Sequence, residues 1–349
     1  MIKSKIISGI LAFCITAGTL QSTYAISEAK EPAVYAMKHN TPKNKETRAG
    51  IKPGAADTKL SQKGNTVAVP QKYKKQAKKR GTIKKITYNS KDYAGNGAPV
   101  KKAAYVYLPY GYKQSNKEKK YDVLYLMHGW GDQAGKFFEH GTIRNMFDKM
   151  IAKKDIPPMI IVSPSFYNKN SSTGFDGSVA EVRKFHKDFV NNLMPAVEGK
   201  YHTYAESVST KDLKASRDHR AFGGFSLGAV TTWMEFCYDA DYIRYYLPMS
   251  ASCWYYGGYG DYYPKKTCNF FEKLIKKKDL NERGYFIYAA TGTADGYQKQ
   301  MDIQMKEMFK RKKQFTADHV VYYKKKGGKH DFTAVQEYLY NALPHFFKK

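Results

Sequence analysis

The stretch from Arg220 to Trp233, Arg-Ala-Phe-Gly-Gly-Phe-Ser-Leu-Gly-Ala-Val-Thr-Thr-Trp, constrains the fold of this chain more than any other. At its centre Gly224-Phe225-Ser226-Leu227-Gly228 forms a G-x-S-x-G pentapeptide. The apolar pair Ala221 and Phe222 before it reads as a buried strand, and residues 229–236 after it read as a helix. A strand-to-helix turn this tight puts its serine in a strained backbone conformation. The positions two before and two after it must then be small, because a Cβ there would clash. The following helix points its free amides and its positive dipole end at the serine.

Outward from this turn the chain alternates strand and helix. Residues 82–88 and 101–108 read as strands joined through the turn-forming stretch 93–99, which suggests an antiparallel edge. Residues 121–127 and 158–162 are near-continuous apolar runs, as in buried parallel strands. Further strands are expected at 242–248, 284–290 and 319–323, and helices at 141–152, 178–201, 298–313 and 332–347. The pattern predicts an α/β fold: a mostly parallel central sheet, helices on both faces and an antiparallel N-terminal edge.

A serine nucleophile needs a base to take its proton and an acid to hold that base in the right tautomer. In open α/β sheets such groups sit on loops leaving the carboxyl ends of strands. His330 follows the last strand across a loop holding Gly327 and Gly328, whereas His319 begins that strand at the wrong end. Asp295 follows the strand at 284–290; Asp302, inside the next helix, competes with it, while Asp331 cannot easily curl back to its neighbour's ring. The resulting order is Ser226, Asp295, His330. The Leu227 amide, directly after the serine, is one expected oxyanion donor, and Trp130, on the loop after the strand ending at Met127, is the expected second. His128, at that strand end, reads as a structural, hydrogen-bonded residue. Trp254 and Tyr255 fall on a carboxyl-end loop with Tyr256, Tyr259, Tyr262 and Tyr263, and are the expected substrate-binding rings.

The ends and the charge bound the setting. Residues 1–25 read as a signal peptide: Lys3 and Lys5, an apolar run over 6–20, then Thr23-Tyr24-Ala25. No membrane span remains after its cleavage, and the expected location is secreted or cell-wall associated. Residues 26–80 carry 14 Lys or Arg against 4 Asp or Glu without apolar periodicity, which predicts a disordered basic linker before a catalytic domain at 81–349. The formal net charge of +28 would suit nucleic acid, but export and the even spread of lysines argue against it. An anionic cell-wall polymer is the better partner for the linker, or the lysines are simply a solvated coat. Cys237, Cys253 and Cys268 are too few for a disulfide framework; Cys253 and Cys268 either pair or remain buried thiols. No spacing resembles a metal motif, and no cofactor is expected.

Taken together, Tyr107-Leu-Pro-Tyr-Gly-Tyr112, Leu126-Met-His-Gly-Trp-Gly131, Arg217 to Gly228, Leu247-Pro-Met-Ser250 and Gly327-Gly-Lys-His-Asp331 resemble the esterase-D-like α/β hydrolases, specifically carbohydrate esterase family 1. The resemblance spans residues 81–349. That family includes feruloyl esterases, acetylxylan esterases and mycolyltransferases, and the stretches at 224–233 and 245–254 look most like bacterial feruloyl esterases attached to xylanases. It implies Ser226 as nucleophile, Asp295 as acid and His330 as base. It also implies an exported serine esterase that cleaves hydroxycinnamoyl groups from a plant cell-wall polysaccharide such as arabinoxylan, or from a small aryl ester. Ala251-Ser252 stands where those enzymes more often have Gly-Asp. An acetylxylan esterase, an acyltransferase of the mycolyltransferase type and a non-enzymatic wall-associated protein are the alternatives.

Overall fold

The computed structural model describes residues 67–257 and 263–348. The signal peptide and most of the linker expected from the sequence lie outside them, as do Tyr259 and Tyr262. Eight strands form one sheet: β1 (Thr82–Lys91), β2 (Pro99–Leu108), β3 (Asp122–Met127), β4 (Met159–Ser163), β5 (Arg220–Phe225), β6 (Tyr245–Met249), β7 (Phe286–Gly292) and β8 (Val320–Lys325). Their spatial order is β1-β2-β4-β3-β5-β6-β7-β8. β1 pairs antiparallel with β2, and β2 antiparallel with β4; the other pairings are parallel.

Every residue of β3 through β7 is buried, which explains their near-continuous apolar sequences. Period-two alternation still decides which core each side chain joins. Val123, Tyr125 and Met127 enter one hydrophobic cluster, with Phe185, Trp233, Phe271 and Met305 from the helices on that face. Leu124 and Leu126 enter the other, with Met146, Phe147, Val335 and Leu339.

Two features under the sheet were not legible in the sequence. Arg220, at the start of β5, is buried in a two-pronged contact with Glu198 (Nε to Oε1 2.6 Å, Nη2 to Oε2 2.8 Å) and also donates to the carbonyls of Leu213 and Tyr242. That fork fixes the root of the strand that carries Ser226. The expected helix at 178–201 is an α-helical segment Phe175–Asp188, a wider π turn Phe189–Leu193 and a last segment Met194–Glu198. Pro195 lacks the N–H that would bond back to Asn191, and the wide turn accommodates it.

The domain boundary expected at residue 80 is displaced. Val69, Tyr73 and Ala77 are buried, Tyr73 donates to Asp155 at 2.6 Å, and Val67 exchanges two hydrogen bonds with the Asn341 side chain. Residues 67–80 therefore pack as part of the folded unit: widely spaced apolar residues among lysines still cover a groove. Among the described residues no helix is long and apolar enough to cross a membrane.

Candidate active site

Ser226 has φ 59° and ψ −120°, in the strained region the pentapeptide predicts. A Cβ on Gly224 would come within 2.3 Å of the Gly228 carbonyl oxygen, and one on Gly228 within 2.1 Å of that of Met127. Both glycines are obligatory for close approach. The Ser226 amide donates to Met249 at 2.9 Å, so β6 holds the turn from the side, and the helix Leu227–Asp239 starts at the next residue. The Leu227 amide is thus one of the helix's first donors, without an acceptor inside the helix.

His330 and Asp295 meet as the spacing predicts. His330 Nδ1 lies 3.1 and 3.0 Å from the two carboxylate oxygens of Asp295, which is 6% exposed and also accepts the Tyr297 amide at 2.8 Å. The loops after β7 and β8 are zipped together to achieve this. Thr293 donates to the Lys325 carbonyl and Ala294 to that of Gly328, while Gly327 donates to the Thr293 hydroxyl. A Cβ on Gly292 would fall 2.0 Å from the Gly328 oxygen, so the contact exists only because residue 292 is glycine. The His330 ring packs between Phe225 (4.5 Å between centroids) and Tyr297 (5.0 Å). Sequence spacing did not single out either neighbour. The competing carboxylates are engaged elsewhere: Asp302 accepts from Tyr322, Gln298 and Lys324, and Asp331 caps the helix Phe332–Ala342 through the Ala334 amide.

The loop after β3 runs beside the serine, since a Cβ on Gly129 would lie 3.2 Å from that of Ser226. His128 is fully buried, with Nδ1 donating to the Gly129 carbonyl and Nε2 accepting from Ser165, each at 2.7 Å. Burial lowers its pKa to about 4, so the ring is neutral and structural. Trp130 follows. Its indole N–H donates to the Thr173 carbonyl at 3.0 Å, its ring stands edge-on to Phe175 at 5.5 Å, and 54% of the residue is exposed.

Trp254 and Tyr255, expected as substrate-binding rings, are packed into the core. They are 2% and 7% exposed: Trp254 packs towards Phe175 at 6.2 Å, and Tyr255 stacks on Phe270 at 4.3 Å. Their loop is pinned by Trp233 to the Ala251 carbonyl, Arg183 to the Trp254 carbonyl and the Cys253 amide to Gln304. Tyr255 is held inward by Phe270 of the amphipathic helix Pro264–Lys277 that follows, and Trp254 by Phe175 of the helix Phe175–Asp188. Trp130, expected as an amide donor, instead carries an exposed ring on the loop after β3. Cys237, Cys253 and Cys268 are buried free thiols. Among the described residues no three His, Cys, Asp or Glu are grouped to hold a metal ion.

Residues 99–346 match the Esterase family. The chain is 34% identical over 284 residues to endo-1,4-beta-xylanase Y of Acetivibrio thermocellus, covering 80% of this chain and 24% of that protein. It is 29% identical over 154 residues to an endo-1,4-beta-xylanase/feruloyl esterase of Xylanibacter ruminicola, covering 44% of this chain and 19% of that protein. It thus spans about a quarter or less of the curated relatives it matches. Among solved structures, a serine-to-alanine mutant of the feruloyl esterase module from Clostridium thermocellum, complexed with sinapinate, superposes with a TM-score of 0.69 at 34% identity. That match covers 80% of this chain and 93% of the module. The chain belongs to the Esterase family, with the α/β-hydrolase fold of carbohydrate esterase family 1.

Proposed function

We propose that the chain is a serine carboxylesterase that hydrolyses hydroxycinnamoyl (feruloyl) esters of a plant cell-wall polysaccharide such as arabinoxylan. One observation carries the chemistry: His330 Nδ1 is held by both oxygens of buried Asp295, on loops that end beside the strained turn of Ser226. The substrate class draws support from the likeness to the feruloyl esterase module.

In this reading the Ser226 hydroxyl attacks the ester carbonyl carbon while His330 Nε2 takes its proton. Asp295 keeps the proton on Nδ1 and stabilises the imidazolium that forms. The amides of Leu227 and Trp130 receive the oxyanion. Collapse of the tetrahedral intermediate expels the alcohol, to which His330 returns the proton, and leaves the acyl group on Ser226. Water, activated by the same imidazole, then releases the acid. The exposed face of Trp130, rather than Trp254 or Tyr255, is the ring available to a flat aromatic acid. Export through residues 1–25 and retention on an anionic wall polymer through the basic segment belong to the same proposal.

Hydrolysis of methyl ferulate beside an acetylated xylan, with Ser226→Ala as control, tests it. The proposal expects release of ferulate well above release of acetate, lost in the variant. Acetate release that exceeds ferulate release would make the chain an acetylxylan esterase instead.

A further inference from the structure

The two expected oxyanion donors are aimed by different means. Leu227 opens the helix Leu227–Asp239, so the helix itself directs its amide. Trp130 lies in a loop, and its amide donates to no described residue. The next two amides are engaged, Gly131 with the Tyr167 hydroxyl and Asp132 with the Gly129 carbonyl, each at 3.4 Å. The direction of the Trp130 N–H follows from its peptide plane. It shares a planar trans peptide with the Gly129 carbonyl, and the two groups point opposite ways. Whatever holds that carbonyl therefore aims the amide. Gly129 is buried beside the nucleophile, since a Cβ on it would lie 3.2 Å from that of Ser226.

The carbonyl is held by His128, and His128 by Ser165. A carbonyl only accepts, so the single proton of the neutral His128 ring sits on Nδ1, 2.7 Å from the Gly129 oxygen. Nε2 is then an acceptor, and the Ser165 hydroxyl, also 2.7 Å away, donates to it. The Ser165 oxygen accepts the Tyr167 amide at 3.0 Å, which leaves its own proton for the ring. Phe166 and Tyr167 pack against the imidazole at 4.5 and 5.7 Å between centroids, and Ser165, Phe166 and Tyr167 are all buried. We propose that Ser165 is a positioning residue for the oxyanion hole: through His128 and the Gly129 carbonyl it turns the Trp130 amide towards the oxygen that gains charge in the transition state. The inference rests on the esterase reading of the site.

The test follows methyl ferulate hydrolysis by the full chain, and its affinity for 2-phenylethenylboronic acid, whose tetrahedral adduct on Ser226 puts an oxygen in the oxyanion hole. Ser165→Ala should lower kcat about tenfold with KM within about twofold, because a misaimed donor is lost chiefly in the transition state. Boronate affinity should fall by the same factor. Two His128 variants decide the matter if Ser165→Ala does not fold. The amide of His128→Asn falls where Nδ1 was and still reaches the Gly129 carbonyl, so boronate affinity should stay within about threefold of wild type. The amide of His128→Gln falls where Nε2 was, and affinity should drop about tenfold. A folded Ser165→Ala with wild-type kcat and boronate affinity, or one that loses kcat/KM through KM alone, would overturn the inference and leave the esterase reading standing. Equal boronate affinities in His128→Asn and His128→Gln would do the same. A wild type inactive on methyl ferulate would overturn both together.

Discussion

His128 and His330 each follow a strand of one sheet at its carboxyl end, yet the two loops treat them oppositely. The loop after β3 buries His128 completely and engages both ring nitrogens, one with the Gly129 carbonyl and one with the Ser165 hydroxyl. The loop after β8 leaves the His330 side chain 31% exposed, commits Nδ1 to Asp295 and turns the ring towards an open cavity. A histidine with both nitrogens satisfied has no proton chemistry left to perform, whereas one held at a single nitrogen retains it. Proximity to the serine therefore does not define the base; the unspent nitrogen does.

Swapping the residues should separate the two roles. His330→Gln should lower kcat by about four orders of magnitude or more, because removal of the base leaves only oxyanion-hole and binding contributions. His128→Gln should instead lower stability by about 1–3 kcal/mol through lost buried hydrogen bonds, with a much smaller change in kcat for the folded fraction. Steady-state kinetics paired with denaturant unfolding measures both. A larger kcat loss from His128→Gln than from His330→Gln would invert the assignment.

Acid should act on the same contrast. The folded pKa of His128 is about 4 against an ordinary 6.5, so between those values the unfolded chain binds the extra proton. The stability from keeping this ring neutral is complete above the ordinary value and is lost as pH falls towards 4, a change of about 3 kcal/mol. Unfolding free energies at pH 7 and pH 4 should show this slope in wild type and a shallower one in His128→Gln. Parallel slopes would show that His128 is not the titrating group.

How much of this was legible in sequence follows from the same physics. The strands were, because burial on both faces of a parallel sheet writes itself as apolar runs such as Val123 to Met127. The strained turn at Ser226 and the meeting of Asp295 with His330 were, because chain order and strand ends constrain them tightly. The burial of Trp254 and Tyr255 was not. A tyrosine-rich segment reads alike whether it lines a mouth or packs under helices, here Phe175–Asp188 over Trp254 and Pro264–Lys277 over Tyr255. The packing of residues 67–80 was equally hidden, because Val69 and Tyr73 carry no periodicity that distinguishes them from a linker.

A smaller effect sharpens the contrast at the level of backbone. Gly292→Ala should part the loops after β7 and β8, because its Cβ would meet the Gly328 oxygen. Displacing Asp295 from His330 by about an ångström should cost roughly a hundredfold in kcat/KM. Activity within about threefold of wild type would mean that the zipped loops do not position the pair.

The central claim is that Ser226 carries the acyl group, and rapid-quench mass spectrometry tests it most directly. Mixing the protein with the 4-nitrophenyl ester of ferulic acid and quenching early should yield a stoichiometric burst of nitrophenol and one feruloyl increment on the peptide containing Ser226. His330→Gln should suppress the burst. A feruloyl group found on another residue, or full turnover by Ser226→Ala, would contradict the account.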